Sequence, residues 1–582
     1  MSKLSLIHSV FTALILLGLS SPSFAALRTL PNSTVNASGW TNFKREPGSR
    51  NIFVDCKAGK TNWPGSKLHP KRSIRAAYES ENFRDGHGDW ILVKRGTSCR
   101  ENLSGWKKSG SPSYVMGVGT YGDGPRPVLL TGSDGAISFH GSVQNVTFRG
   151  LYLVADSRNY KTFKSRKAGL NRGVGIFADG FASKIDGVSF EDIVVDSYTS
   201  GVDMGNNNAT FKNIIFRRSS IVNSYPEKVN AISNGVYMAN AKGILFEEVF
   251  FDANGWNDRT KTLNEGTYKD HHLYFRSDVQ DVEMINVFGM RSPGDAFQLR
   301  GGGIASGTLS YKNGGGFTCG LVNGAETVHA KAGGVICRVA DSIFVEGWGG
   351  YATGISLTNL RPGRTKTGRG TNQIINNLFI NGRAKNGAAI KLHTTKSGGG
   401  YPEPVNEDET VGVNDLEILN NRVVSYPSFI WFDSGFNLGG KGRAALNGVR
   451  IAYNQARDPR NEKGLLIERG VTPKANLAKN GIEPIVYIGN DYYSSTNTLT
   501  GNLFSVGSDL MNLGKWAKSM EPTAGNQPLA FAKLLSPLDY HRARGGIYDN
   551  YDLQEKMLRQ TETNWDPYYA VHKIRRWILS GM

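Results

Sequence analysis

The sequence is poor in proline and cysteine and has no hydrophobic run long enough to cross a membrane. Only 21 of its 582 residues are proline and its glycines are scattered, which excludes a collagen-like repeat. Its four cysteines lack the Cys-x-x-Cys or histidine-paired spacing of zinc sites. The apolar stretch at residues 10–19 is shorter than the roughly 20 residues that a membrane-spanning helix needs, and no second candidate appears.

Glycine and aromatic residues are abundant. Glycine accounts for 71 residues, well above the average usage of about 7%, and each interior glycine costs a helix about 1 kcal/mol relative to alanine. With 27 Phe, 23 Tyr and 39% apolar residues, the chain can bury a large core, which argues against disorder. Lys and Arg outnumber Asp and Glu by 68 to 50, giving a net charge of +18. The composition therefore predicts a large, basic, β-rich protein.

Residues 1–25 have the features of a signal peptide. Lys3 supplies the positive start, residues 10–19 the apolar middle, and Ser23-Phe24-Ala25 a small-x-small cleavage site. We therefore expect a protein exported to the periplasm or the medium, with no membrane span after cleavage. An uncleaved anchor is the alternative.

The four cysteines are expected to form disulfides. An even count in an oxidising compartment suggests pairing, and the local pairing is Cys56 with Cys99 and Cys319 with Cys337. Four free buried thiols are the alternative, and neither interpretation makes these residues catalytic.

A short repeat decides the predicted architecture. Alternating apolar residues, a turn residue and a second short apolar strand recur at 145–153, 187–195, 209–216 and 243–251, with weaker copies at 281–288, 372–379 and 414–421. Such a unit buries its apolar side only by stacking on copies of itself. A β-sandwich would need tight hairpins, but the Asn-Gly pairs here lack matching strands on both sides. We therefore predict an all-β fold, a right-handed single-stranded parallel β-helix with Asn and Gly at its turns.

The two ends of the predicted coil differ from its middle. A helical segment near 72–78, between strands at 51–55 and 88–96, resembles the opening of pectate-lyase-like β-helix proteins, where a short helix caps the coil. After residue 509 the apolar residues recur at helical spacing, at 510–520 and 568–579. We predict a β-helix with its N-terminal cap at 26–508 and a helical tail, packed on the coil, at 509–582.

Aligning the coils predicts a site. Seven apolar–polar–apolar triplets follow the turns, and the central residue of each points outward because strand side chains alternate faces. The resulting outer column is Asp203, Tyr237, Tyr274, Gln298, Ser356, Lys391 and Trp431. Residues two positions away add His272, Arg276, Arg300 and His393, and small flanking residues leave room for a ligand. An ordinary solvated polar face is the alternative to a groove.

Part of this cluster resembles a known motif. Asp270-His271-His272, followed by Arg300, resembles the Asp-Pro-His motif and the carboxylate-binding Arg of alginate C5-epimerases and related uronate lyases, with His271 in place of Pro. The resemblance implies an acidic, uronate-containing polysaccharide as substrate. Physical chemistry favours the same class, because an Arg fork stabilises the uronate carboxylate while a His removes the neighbouring proton.

The roles expected in β-elimination follow. We assign His272 as base, oriented by Asp270, with Tyr274 or Tyr237 as acid and Arg276 and Arg300 as carboxylate clamps. The predicted substrate-binding residues are Asp203, His271, Gln298, Lys391, His393 and Trp431. Reprotonation from the opposite face would instead make the protein an epimerase.

Two other functions stay open. Hydrolysis needs two carboxylates roughly 5 to 9.5 Å apart, and Asp203, Asp270, Asp278 and Asp295 lie near the cluster. A non-catalytic polysaccharide-binding or export protein would use Trp431 and Tyr274 as platforms. We expect a monomer with no nucleic-acid partner, because no recognition module accompanies the basic residues. No cofactor is expected, and no oxygen-ligand run supports the calcium that some lyases of this fold bind.

Overall fold

A computed structural model describes residues 28–158, 173–205, 208–226, 231–255, 266–320, 334–349, 353–363, 368, 370–384, 387–393, 412–432, 437–438, 445–460, 465–469, 485–495, 502–506, 509–526 and 535–581. Within these ranges the chain winds through three long sheets in turn, and, up to the strand Asn502–Val506, each strand pairs in parallel with its equivalent on the next coil. The predicted parallel β-helix is therefore confirmed. The predicted signal peptide lies outside the described residues.

The strands of the coil fall into three sheets of nearly equal size, counted over the described residues. Sheet 1 has 14 strands: Asn51–Val54, Trp90–Lys94, Met116–Tyr121, Ser142–Arg149, Lys184–Glu191, Thr210–Arg217, Ala241–Glu247, Gln280–Ile285, Gly303–Ser306, Cys337–Ala340, Asn372–Ile375, Leu416–Leu419, Val449–Ala452 and Ile485–Ile488. Sheet 2 has 13: Ser98–Cys99, Val128–Leu130, Tyr152–Val154, Val194–Asp196, Ser220–Val222, Phe250–Asp252, Phe288–Met290, Leu309–Tyr311, Ile343–Val345, Leu378–Ile380, Arg422–Val424, Gln455–Arg457 and Asp491–Tyr493. Sheet 3 has 14: Leu103–Trp106, Ile137–Phe139, Val174–Ala178, Ser200–Met204, Val236–Met238, Leu273–Phe275, Asp295–Leu299, Gly315–Cys319, Ile355–Leu357, Ile390–Leu392, Ile430–Phe432, Ile467–Arg469, Asn502–Val506 and Asp509–Asn512.

Two smaller sheets accompany the coil. Ser33–Val35 and Thr41–Phe43 form an antiparallel pair. The other small sheet has the strands Gly412–Asn414, Asn437–Leu438 and Ala445–Asn447.

The turns between sheets 1 and 2 explain the repeat seen in the sequence. From the strand Ser142–Arg149 onward, the residue directly after each sheet 1 strand has a positive φ. These residues are Gly150, Asp192, Arg218, Glu248, Asn286, Gly307, Asp341, Asn376, Asn420, Tyr453 and Gly489. Asn, Asp and Gly tolerate this left-handed conformation best, so they predominate at the position. The predicted turn role of Asn and Gly is confirmed.

Inside the coil, identical side chains from successive coils stack on one another. Phe148, Phe190, Phe216 and Phe246 stack in file, with successive ring centroids 5.6, 4.8 and 5.0 Å apart. Near the C-terminal end, the side-chain oxygen of each asparagine accepts hydrogen bonds from the backbone and side-chain amides of the asparagine one coil earlier. This ladder runs through Asn377, Asn421, Asn454, Asn490 and then Glu521. Because each buried amide is satisfied, the polar ladder is compatible with the core.

Both ends of the coil are closed by a short helix. Ile74–Tyr78, capped by the Ser73 hydroxyl, packs at the N-terminal end, as predicted. At the other end, Asp509–Asn512 forms an antiparallel strand against Asn502–Val506. The helix predicted from residue 510 therefore begins at Leu513 and runs through Ser519. Trp516 of this helix is wholly buried on Phe504, with ring centroids 4.4 Å apart.

The rest of the tail folds back along the side of the coil. It comprises the helices Pro537–Arg544, Asn550–Arg559 and Val571–Ser580 and the 3-10 turn Pro567–Tyr569. Apolar residues of these helices join one cluster with outward residues of sheet 2, among them Val222, Phe250 and Leu309. The tail thus covers the outer face of sheet 2 as well as closing the end.

The predicted local disulfides are confirmed. Cys56 pairs with Cys99 and Cys319 with Cys337, with Cα atoms 5.3 and 6.4 Å apart. Among the described residues, no helix is both long and apolar enough to cross a membrane.

Candidate active site

The outer column predicted from the sequence exists on sheet 3. Strand pairing aligns Asp203 with Tyr237, Tyr237 with Tyr274 and Tyr274 with Gln298, and later Ser356 with Lys391 and Lys391 with Trp431. The sequence alignment omitted one coil, because Gln298 pairs with Thr318 and Thr318 pairs with Ser356. The triplet Phe317-Thr318-Cys319, after a glycine-rich turn, carried the same signal as the others.

Four side chains meet at the centre of the column. The Tyr274 ring stacks on Tyr237 of the preceding coil, with centroids 5.4 Å apart and planes 13° apart. It also stacks on the His271 imidazole, at 5.5 Å and 18°. The guanidinium carbon of Arg300, on the following coil, lies 4.8 Å from the Tyr274 ring centroid. A phenol, an imidazole and a guanidinium are therefore brought together.

The predicted placement of His272 on this face is wrong. Its ring is 0% exposed and lies inside the coil against Phe251 and Phe297. Its Nδ1 and Nε2 are hydrogen-bonded to Asn254 and Asn313, each at 3.1 Å. Burial lowers the pKa of His272 to about 3. The residue before Leu273 belongs to the turn, where the strand alternation no longer applies, so His272 is part of a buried polar ladder and has no access to a ligand on the outer face.

The role expected for Asp270 fails for the same reason. Its carboxylate is buried and accepts hydrogen bonds from the backbone amides of Ser233 and Thr267 and from the Thr267 hydroxyl. Burial raises its pKa. These contacts fix the loop before the strand Leu273–Phe275, so Asp270 positions the turn and does not orient His272.

The histidine that contacts the Tyr274 ring on the outer face is His271. Its Nδ1 lies 3.0 Å from the backbone carbonyl oxygen of Asp295. A carbonyl only accepts, so Nδ1 carries the proton and Nε2 keeps its lone pair. His271 is itself buried, and burial lowers its pKa although the charge and the carbonyl of Asp295 act in the opposite direction. The imidazole is therefore neutral near neutral pH, in one defined tautomer.

Two carboxylates flank the centre of the column. Asp295 accepts a hydrogen bond from the Thr318 hydroxyl at 2.5 Å. Asp203 accepts one from the backbone amide of Gly205, and burial raises its pKa. The Tyr237 ring lies so close to Gly205 that an added Cβ there would meet its Cε1 at 2.1 Å. The space that the sequence suggested for a ligand at this glycine is thus filled by Tyr237.

The arginines and the far end of the column form the basic part of the surface. Arg276 is next to Arg300 on the preceding coil and lies 3.8 Å from the Asp278 carboxylate. Further along, the Lys391 amine lies 3.9 Å from the Trp431 ring centroid. The Ser356 hydroxyl and His393 Nε2 are 2.7 Å apart. All the residues predicted for this end lie on one face, as the alignment implied.

A grouping of possible metal ligands and a cavity both lie away from this column. Within the described ranges, the only grouping of His, Cys, Asp or Glu side chains close enough to share an ion is Cys56, Cys99 and Glu101, and both cysteines are in a disulfide. A cavity of about 280 Å³ lies between Arg28 and sheet 1, lined by Asp281 and Glu283 among others. It contains none of the predicted site residues.

No protein-family model matches the sequence, and a search among curated proteins finds no match. Solved structures with a similar shape include a mannuronic-acid-specific family 6 polysaccharide lyase from human gut microbiota, at 11% identity over 92% of this chain and 100% of that one, with a TM-score of 0.41. A family 6 polysaccharide lyase from Pseudopedobacter saltans has 13% identity over 77% and 93%, with a TM-score of 0.38. A family GH136 lacto-N-biosidase from Eubacterium ramulus has 12% identity and a TM-score of 0.32; the match covers 76% of this chain and 64% of that enzyme. All three TM-scores are low, so the fold assignment rests on this chain's own strand pairing.

Proposed function

We propose that this protein is an exported lyase that binds an acidic, uronate-containing polysaccharide along the outer column of sheet 3 and cleaves it by β-elimination. The observation that carries the proposal is the contact of Tyr274 with His271 and Arg300 at one point of the column. β-Elimination needs a base, an acid and a charge that stabilises the substrate carboxylate. These three residue types meet those needs.

His271 is the proposed base. Its Nδ1–H is held by the Asp295 carbonyl oxygen, which leaves Nε2 as the acceptor. Because its pKa lies below the ordinary value, the imidazole is unprotonated at neutral pH. In the reaction, Nε2 takes the proton from C5 of the uronate, and the electron pair of that bond forms the new C4–C5 double bond.

Tyr274 is the proposed acid and Arg300 the carboxylate clamp. As the C4–O bond breaks, the Tyr274 hydroxyl donates its proton to the leaving glycosidic oxygen. Arg300, with Arg276 beside it, binds the uronate carboxylate, where negative charge builds up as C5 loses its proton. Removing one such donor typically costs about 100- to 1000-fold in rate. Tyr237 remains a contact that holds the Tyr274 ring in position.

Hydrolysis receives less support from the geometry. Asp203 has the raised pKa of a general acid, and Asp295 is a partly exposed second carboxylate. They belong to coils three steps apart, about 14 Å along the axis at about 4.8 Å per coil. This exceeds the roughly 5 to 9.5 Å over which two carboxylates cooperate in hydrolysis.

A substrate panel tests the proposal. The purified protein is incubated with alginate, polygalacturonate, glucuronan and glycosaminoglycans, and the ultraviolet absorbance of the unsaturated uronate product is followed. Wild-type protein should produce it from at least one polymer, while Tyr274→Phe and Arg300→Gln should lose at least about 100-fold in rate. Tyr548→Phe, far along the chain in the tail, is the matched control.

Three outcomes would contradict the proposal or one of its assignments. Reducing ends without ultraviolet absorbance would identify a hydrolase. Tight polymer binding without any product would identify a non-catalytic binding or export protein, and full activity of Tyr274→Phe would exclude the assigned acid.

A further inference from the structure

The N-terminal end of the outer column carries an aromatic and acidic patch that the reaction does not use. Strand pairing continues the column from Asp203 back to Phe177 and Ser138. Two residues beyond these strand positions lie Asp179 and His140. We name this patch, Phe177, Phe181, His140 and Asp179, the aromatic end.

Phe181 is held in an exposed position by its turn. Its backbone amide donates to the Asp179 carboxylate at 2.9 Å, and its carbonyl accepts from Gly141 at 3.1 Å. The ring is 75% exposed and lies against the His140 imidazole, with centroids 5.0 Å apart. The imidazole in turn lies 3.0 Å from the second Asp179 oxygen. The turn therefore holds a large apolar ring in a fixed, solvent-facing position beside two polar side chains.

The charge of the column changes sign along its length. Before Tyr274, the outer column and the column two residues further along each strand contain only two acidic residues, Asp179 and Asp203, and no Lys or Arg. The positions are Ser138, His140, Phe177, Asp179, Asp203, Gly205, Tyr237 and Ala239. From the coil of Tyr274 to that of Lys391 the same columns carry Arg276, Arg300 and Lys391, and an acidic residue, Glu468, returns to the column only after Trp431. A uronate carboxylate is attracted to the second part and repelled by the first, because like charges in contact are costly.

We infer that the aromatic end is a subsite for a neutral sugar, so that the groove takes a chain in which uncharged residues flank the uronate. The inference rests on the proposed function. Phe181 offers a flat apolar surface to the C–H face of a pyranose, and Asp179 and His140 lie beside it to bind hydroxyl groups. The coil of Phe177 is three steps from Tyr274, about 14 Å along the axis, so both parts contact one continuous chain.

Binding to three polymers tests this inference. Calorimetry compares a homopolyuronate, a heteropolysaccharide that alternates uronate with neutral sugars, and a neutral glycan. Wild-type protein should bind the heteropolysaccharide most tightly. Phe181→Ala should weaken that binding about 3- to 10-fold, as expected for loss of one aromatic contact, and leave the homopolyuronate unaffected. Tyr548→Ala, 76% exposed in the tail, is the control for loss of an exposed ring.

A second variant tests the charge argument. Asp179→Asn keeps the side-chain oxygen that receives the Phe181 amide but removes the charge, so it should tighten binding of the homopolyuronate. Equal effects of Phe181→Ala on both acidic polymers, or no effect on either, would overturn the neutral subsite while cleavage at Tyr274 stands. Wild-type protein that binds neither acidic polymer would overturn both proposals.

Discussion

The outer faces of sheets 2 and 3 are built from the same coils and have opposite chemistry. On sheet 2 many outward side chains are apolar, such as Val222, Phe250 and Ile343, and are buried with the tail helices. On sheet 3 the equivalent positions are polar or aromatic, and their side chains stack and hydrogen-bond with one another. The first pattern indicates a face covered by the protein's own chain, and the second indicates a face suited to a ligand.

Arginine shows the same contrast. On the sheet 2 side, Arg291 forms two hydrogen bonds with buried Asp252, at 2.8 and 2.6 Å, and its guanidinium lies 4.3 Å from the Tyr551 ring centroid of the tail. Arg126 likewise contacts Asp192 and the Leu558 carbonyl. On sheet 3, Arg300 lies against Tyr274. Part of the net positive charge therefore fastens the tail and does not serve to attract an acidic polymer.

The largest stability effect is expected where a charge pair fastens the tail. Arg291→Ala leaves the Asp252 carboxylate buried without this guanidinium and should lower the free energy of unfolding by about 3–5 kcal/mol. Urea denaturation measures the loss. Lys242→Ala, which removes an ion pair with Asp281 that is exposed on both sides, is the control and should cost less than about 1 kcal/mol. Equal losses in the two variants would contradict a buried charge pair that fastens the tail to sheet 2.

Removing an apolar contact of the tail should cost slightly less. Ile574 is wholly buried in the cluster with sheet 2, and Ile574→Ala should lower the free energy of unfolding by about 2–5 kcal/mol, depending on how far the cavity collapses. Polymer cleavage by the folded variant should be unchanged. A variant that unfolds normally but loses activity would show that the tail serves the site directly.

The two adjacent histidines should have different roles, His272 in stability and His271 in catalysis. His272→Ala leaves Asn254 and Asn313 without their buried partner and should cost about 1–3 kcal/mol. The pKa of His272 is about 3 in the folded state against about 6.5 unfolded. The unfolded state therefore binds more protons between these values, and the stabilisation present above pH 6.5 is lost as the pH falls toward 3.

Denaturation at several pH values tests whether stability falls as the pH is lowered. Between pH 6 and pH 4 the unfolding free energy of wild-type protein should fall more steeply than that of His272→Asn, by about 1.4 kcal/mol per pH unit for the one proton. Parallel curves for the two proteins would contradict a buried neutral His272.

The smallest stability effect is expected on sheet 3. Trp431→Ala removes the ring beside Lys391 and should change the free energy of unfolding by about 0.5 kcal/mol or less, because the ring is partly exposed. Binding of an acidic polymer should weaken several-fold. Affinity electrophoresis compares the variant with wild type, and unchanged mobility would place this end of the column outside the binding surface.

Much of the fold was predictable from the sequence because a stacked coil repeats one rule. Turn residues and inward apolar residues recur in each coil, so the register from Asp203 to Gln298 followed from alternation alone. Alignment of the triplets misses the coil of Thr318, because a segment without the repeat separates this coil from the triplet at 355–357. The local helical pattern of the tail did not predict its path over sheet 2, although outward apolar residues such as Phe250 and Leu309 indicated a covered face.

The site was less predictable than the register. Alternation holds within a strand and fails at the turn before it, so it predicts an outward His272 and a role for His271 in substrate binding only. The orientation depends on Asn254 and Asn313, which are distant in sequence and enclose the His272 ring. Such long-range contacts cannot be read from a local pattern.

The rate of His271→Gln tests the central claim most directly. The glutamine amide can still donate to the Asp295 carbonyl but cannot take a proton, so the site keeps its shape and loses its base. On the polymer that wild-type protein cleaves, we predict that the initial rate of ultraviolet-absorbing product falls at least about 100-fold, with an unchanged unfolding midpoint. A rate within a few-fold of wild type would contradict β-elimination by His271 on the outer face of sheet 3.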